Sequence, residues 1–209
     1  MKANGLVVLD ALAGRSYLEQ TVAPRAPRGW NMMPKLKILI APDPVLKKRA
    51  ERVERVDAAT RRLMDDMLET MHAANGIGLA APQVGVLKRI IVVDVARPPE
   101  QAPQPYRMAN PEIVWRSEAV VAREEGCLSL PDHFGEVMRA ERVRVRFLDH
   151  ENEIREIEAA GLLGRCIQHE IDHLEGTLFV DHLSALKRNI ILRKLSKTKK
   201  QHVATAAAV

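Results

Sequence analysis

Two histidines four residues apart, His169 and His173, with Glu170 directly after the first, constrain this chain more than any other feature; the stretch reads QHEIDHLEG over 168–176. At 3.6 residues per turn both imidazoles stand on one helix face, near enough to reach one cation, while Glu170 points to a neighbouring face. This is the logic of an H-E-x-x-H helix, in which the carboxylate takes a proton from a metal-bound water. Two imidazoles leave the ligand set incomplete, so a third donor must come from elsewhere.

Cys166 lies three residues before His169 on the same stripe, yet it stands seven residues from His173, about 10 Å of helix rise. Metal–ligand bonds of about 2.0–2.3 Å cannot bridge that span, so Cys166 reads as a small buried hydrophobe. Acids after the helix, Glu175 and Asp181, are candidates. Cys127 is another, set in EEGCLSLP where Gly126 lets the backbone turn and Pro131 ends the segment, a setting that suits a thiolate presented from a strand end. A third stretch, GIGLAAPQVG over 76–85, packs small residues together and would let a ligand backbone approach closely, as when an extended peptide adds to a strand. Gln83 is its polar side chain and an amide donor for a developing oxyanion.

Elements follow from periodicity. DAATRRLMDDMLETMHAANG places apolar residues at Leu63, Met64, Met67, Leu68 and Met71 behind Asp57 as N-cap, which predicts an amphipathic helix ending at a glycine. RIIVVDVA (89–96) is a β-branched run that predicts a buried strand. ERVRVRFLD (141–149) alternates as a half-wet strand and turns through HENE into IREIEA, a hairpin. From Gly161 the pattern becomes helical. The sum is an α+β domain: mainly antiparallel sheets packed around a central metal-binding helix, with N-terminal and C-terminal helices.

At 209 residues the chain suits one domain, and its 46% apolar and 28% charged residues make a globular composition. No apolar run approaches the roughly 20 residues that cross a bilayer. Two cysteines make no disulfide framework, which favours the cytoplasm. Residues 1–32 read as a loosely ordered extension: GLVVL is short for a signal sequence and is cut off by Asp10. Residues 33–186 read as the catalytic domain and 187–209 as a basic helix and tail. Seven of the 32 Lys and Arg fall in 187–200 beside no acid, leaving 25 against 27 acids elsewhere. That tail is either a solvated helix or a footprint for a polyanion such as RNA.

Taken in order, GIGLAAPQ, EGCLS and QHEIDH resemble the three signature motifs of peptide deformylase, and the likeness runs from about Lys35 to Lys187. It implies removal of the N-formyl group from nascent chains that begin with formyl-methionine. Cys127, His169 and His173 would hold the metal, with water in the fourth position. Iron(II) is the family's usual metal, although two imidazoles and a thiolate suit zinc, nickel or cobalt equally. Glu170 would shuttle the proton, and the formyl oxyanion would sit between the metal, the Gln83 amide and the Leu128 backbone N–H. Ile77, Gly78 and Gly126 would contact the substrate backbone. The resemblance also implies docking near the ribosomal exit tunnel through residues 183–196. There Leu183, Leu186, Ile190 and Leu195 would bind the body, while Lys187, Arg188, Arg193 and Lys194 face ribosomal RNA. No membrane or DNA partner is expected. Two positions depart from the family: Phe134 where relatives often carry arginine, and Arg165 where some carry an aliphatic residue.

Two rivals remain at this level. A metallo-endopeptidase also uses H-E-x-x-H, and a structural metal or RNA-binding module would fit the basic tail. The first usually takes a downstream histidine or acid as third ligand; the second needs a fourth protein ligand.

Overall fold

A computed structural model of the chain describes residues 36–96 and 101–206. The extension expected over 1–32 lies outside them. Asp57 opens helix α1 (Ala58–Ala73), its side chain accepting the Thr60 N–H at 2.8 Å and so satisfying a donor that a helix start leaves unpaired. Met64, Met67 and Met71 turn inward and are fully buried. The helix stops short of its glycine, however. Asn75 takes the left-handed conformation at φ 55°. Its N–H meets the His72 carbonyl at 3.0 Å and the Gly76 N–H returns to Met71 at 2.9 Å, so asparagine supplies the turn that the sequence reading gave to glycine.

Strands β1 (Gly78–Ala80), β2 (Ile90–Val93), β3 (Tyr106–Arg116), β6 (Arg142–Leu148) and β7 (Ile154–Ala160) form one sheet in the order β1-β2-β3-β6-β7. β4 (Val120–Cys127) and β5 (Leu130–Ala140) form a separate hairpin. Every pair of these strands is antiparallel. The alternation read in β6 holds: Val143, Val145 and Phe147 are buried while Arg142, Arg144 and Arg146 face solvent. In β3, Asn110 sits at a register shift with φ 51°, and its buried amide accepts the Val53 N–H at 2.8 Å and donates to the Val53 carbonyl at 2.7 Å. Asn110→Ala removes both bonds and strains an alanine, so unfolding free energy falls by about 2–4 kcal/mol. The check is a lower denaturant midpoint at constant slope.

Helix α2 (Gly161–Leu174) packs against β1, β2 and β7. Its Ile167 and Leu174 share a core cluster with Ile91, Val93, Val143 and Val145, which makes it the central helix that the sequence requires. Gly176 ends the segment at φ 73°; a Cβ there would lie 2.6 Å from the Lys47 carbonyl oxygen, so no larger residue fits.

Helix α3 (Ala185–Ala206) forms where the tail helix is expected, but its inward face is different. Ile191 and Leu195 are buried and Leu192 is partly so, whereas Leu186 is 71% exposed and Ile190 46%. Leu183 and Leu195 bind the body as anticipated; Leu186 and Ile190 do not. The stripe 191, 192, 195 joins an apolar cluster with Leu178, Phe179 and Val180, the helix packing on the turn Phe179–His182, one residue out of phase with the stripe read from 186 and 190. Lys187, Arg193 and Lys194 are exposed, while Arg188 is partly buried and reaches Asp181 at 3.9 Å. Among the described residues no helix is long and apolar enough to cross a membrane.

Candidate active site

α2 presents His169 and His173 side by side, ring centroids 5.0 Å apart, as their four-residue spacing dictates. β4 ends at Cys127, and its Sγ stands 3.2 Å from His173 Nε2. The three donor atoms of Cys127, His169 and His173 lie within 4.8 Å of one another. Bonds of about 2.0–2.3 Å to one cation set its ligands roughly 3–4 Å apart, so the spacing fits a single divalent ion. A soft thiolate with two borderline imidazoles is the donor set that such ions favour. Cys166 is absent from the cluster, as the helix-rise argument requires; its Sγ instead donates to the Ile77 carbonyl at 3.4 Å, and burial pushes its thiol well above the ordinary value.

The His169 imidazole is held from behind. His169 Nδ1 meets Glu125 Oε2 at 2.8 Å, leaving Nε2 for the cluster. Arg139 clamps Glu125 with two bonds, 2.8 and 3.0 Å, and reaches Asp172 at 2.6 Å. Burial pushes the Glu125 carboxyl up, but the bonds from Arg139 and His169 outweigh it and hold the group at about 2. His169 is pulled down by burial, yet its bonds to Cys127 and Glu125 raise it well above the usual histidine range. His173 is lowered well below that range, by burial first and then by the neighbouring His169 charge.

Gln83 is 1% exposed. Its Oε1 accepts the Ala80 N–H at 2.8 Å, which fixes the amide orientation and turns Nε2 toward Ser129 Oγ at 3.2 Å and Cys127 Sγ at 3.5 Å. Glu170 is 4% exposed and its Oε2 has no hydrogen-bond partner. Burial pushes its carboxyl up to about 7, which suits a group that must gain and lose a proton near neutrality. A cavity of about 560 Å³ opens over these groups, lined in part by Ile77, Gly78, Gln83, Gly126, Leu128 and Glu170.

A family model described as polypeptide deformylase matches residues 35–189. A peptide deformylase of Phenylobacterium zucineum is 54% identical over 161 residues, covering 77% of this chain and 95% of its own. The chain belongs to the polypeptide deformylase family. A peptide deformylase of Methylocella silvestris is 53% identical over 170 residues, covering 80% of this chain and 87% of its own. Among solved structures, a deformylase of Ehrlichia chaffeensis in complex with actinonin is 46% identical with a TM-score of 0.76, covering 79% of this chain and 98% of its own. One from Legionella pneumophila is 45% identical with a TM-score of 0.74, covering 81% and 98%.

The deformylase motifs thus converge on one cavity. Two members of the site were not singled out in the sequence, Glu125 and Arg139. The signal was present: Glu125 precedes Cys127 by two on a strand and so shares its face, and Arg139 follows the inward Val137 by two. Both departures from the family line the cavity or its rim. Phe134 is 61% exposed and covers Gly126, where a Cβ would lie 2.7 Å from the ring. Arg165 lies on the α2 wall.

Gly78 leaves no space for a side chain, since a Cβ would meet Glu170 Oε1 and lie 2.6 Å from Cys166 Sγ. Gly78→Ala therefore displaces the carboxylate, and kcat on a formyl-peptide falls by about 10²-fold. Steady-state kinetics beside an unchanged circular dichroism spectrum checks it.

Proposed function

We propose that this chain hydrolyses the formyl amide at the start of newly synthesised polypeptides beginning with formyl-methionine, releasing formate and a free amine. The observation that carries the reading is the convergence of Cys127, His169 and His173 within 4.8 Å beside a buried acid raised to about 7. Those three residues would hold one divalent cation, iron(II) by family expectation, with zinc, nickel or cobalt as substitutes. When bound, the cation supplies Lewis acidity and makes water nucleophilic near neutral pH. Glu170 accepts the proton of the attacking water and returns it to the amine nitrogen as the C–N bond breaks. Gln83 Nε2 and the Leu128 N–H donate to the formyl oxygen as negative charge develops there. Ile77, Gly78 and Gly126 contact the substrate backbone, the two glycines permitting its close approach.

We take residues 33–186 as the catalytic domain, 1–32 as an extension and 187–209 as the basic tail, and place the enzyme in the cytoplasm, where nascent chains are made. Formate release from formyl-Met-Ala-Ser, with casein and unformylated peptides as controls and metal analysis of the same sample, tests the activity. Cleavage of casein would move the chain to the endopeptidases.

The ribosome is the proposed partner of α3. Lys187, Arg193 and Lys197 are exposed on that helix, and neutralising phosphates with such groups makes binding fall steeply with salt. Truncation is a poor test, because Ile191 and Leu195 are buried in an apolar cluster that also holds Leu130 and Val137 of the hairpin. Reversing Lys187, Arg193 and Lys197 to glutamate keeps those contacts and should weaken co-sedimentation with ribosomes; equal binding across a salt series overturns the docking.

A further inference from the structure

The wall that α2 gives to the cavity consists of Leu162, Arg165, Cys166, His169 and Glu170. Cys166 is tied to the Ile77 carbonyl, and His169 and Glu170 belong to the reaction. Arg165 belongs to nothing described so far. It is partly buried, and among the described residues no hydrogen bond or ion pair engages its guanidinium. Arg139, Arg142, Arg146 and Arg155, by contrast, each meet a carboxylate. A guanidinium keeps its charge at any working pH and offers five donors. One that lines a substrate cavity without an internal partner is available to an acceptor brought from outside.

The helix sets where that acceptor lies. Arg165 precedes His169 by four residues, so both leave α2 on one face about 6 Å apart along the axis. An extended peptide advances about 3.3 Å per residue, so two residues cover the distance. The other charged groups of the cavity lining are mostly acids: Glu124 and Asp132 lie there beside His133, and Glu124 pairs in register with Glu136. Those acids repel a substrate carboxylate and leave Arg165 as its favourable neighbour.

We propose that Arg165 is a specificity-determining residue that binds a carboxylate carried by the substrate within the first two residues after formyl-methionine. The inference rests on the deformylase reading above. The same chemistry has two sources, an Asp or Glu side chain in a nascent chain and the free C-terminus of a short formylated peptide.

The test compares kcat/KM for formyl-Met-Asp-Ala-amide and formyl-Met-Ala-Asp-amide with their Asn counterparts, and for formyl-Met-Ala as free acid and as amide. Wild type, Arg165→Lys and Arg165→Met are assayed at low and high salt. At low salt wild type favours the acid of at least one pair by about three- to tenfold, and the preference shrinks as salt screens the charge. It is retained in part by Arg165→Lys and falls to about one in Arg165→Met. A preference seen in the amides assigns Arg165 to an acidic side chain; one confined to the free acid assigns it to a peptide terminus; both support the proposal. Equal rates within every wild-type pair overturn it, as does an acid preference that survives in Arg165→Met. A wild type that hydrolyses none of the peptides overturns the deformylase reading, and this inference with it.

Discussion

Glu170→Gln lowers the rate of formyl-peptide hydrolysis by about 10²–10⁴-fold while the cation content stays unchanged. The carboxylate lies outside the Cys127, His169, His173 cluster, so its loss removes proton transfer and leaves the ligands in place; loss of the cation in this variant would contradict that division of roles. The same substitution has a second signature in cation-free protein. Burial raises the Glu170 carboxyl from 4.5 to about 7, so the folded state tolerates the protonated form and resists ionisation. Below pH 4.5 the group is protonated whether folded or unfolded and contributes no pH-dependent difference. Between pH 4.5 and about 7 the unfolded chain gives up this proton while the folded chain keeps it, so wild type loses about 3 kcal/mol that glutamine, which does not titrate, keeps. The melting temperature of the variant relative to wild type should therefore climb by roughly 6–12 °C between pH 4.5 and pH 8. An offset that stays constant over that range would remove burial of the charge as its cause.

The two cysteines should behave oppositely. Cys127→Ala removes one of three converging donors, and metal-dependent activity is abolished, with bound cation lost on dialysis. Cys166→Ala trims a small buried side chain and its bond to the Ile77 carbonyl, which costs about 1–2 kcal/mol of stability and leaves the cation in place. Metal analysis after dialysis separates the pair; an essential Cys166 would refute the ligand assignment.

The meeting of His169 and His173 on α2 was legible because a four-residue spacing has one meaning on a helix, and the same rise placed Cys166 outside the cluster. The strand alternation in 142–148 was legible for the analogous reason at period two. What periodicity does not carry is the partner of each inward polar group. Glu125 reads as one acid among several until β5 places Arg139 beside it, a pairing set by hairpin register. The inward face of α3 was misassigned for the same reason: Leu186, Ile190, Ile191 and Leu195 offer two overlapping stripes, and the apolar cluster of Leu178, Phe179 and Val180 takes up 191 and 195. Asn75 took the turn expected of a glycine because asparagine also tolerates the left-handed region.

That packing of α3 gives the protein a schedule. Ile191 and Leu195 close the apolar cluster against which Cys127 and the hairpin core residues Leu130 and Val137 rest, and they are made after every strand. Domains acquire structure from the N-terminal side as synthesis proceeds at about 5–20 residues per second, so the 68 residues from Cys127 to Leu195 take roughly 3–14 s. During that interval Cys127 sits on a two-stranded sheet lacking part of its support, and an isolated hairpin is marginal in water. An enzyme that acts on the first residue of other growing chains thus completes the apolar cluster beside Cys127 only as α3 is made.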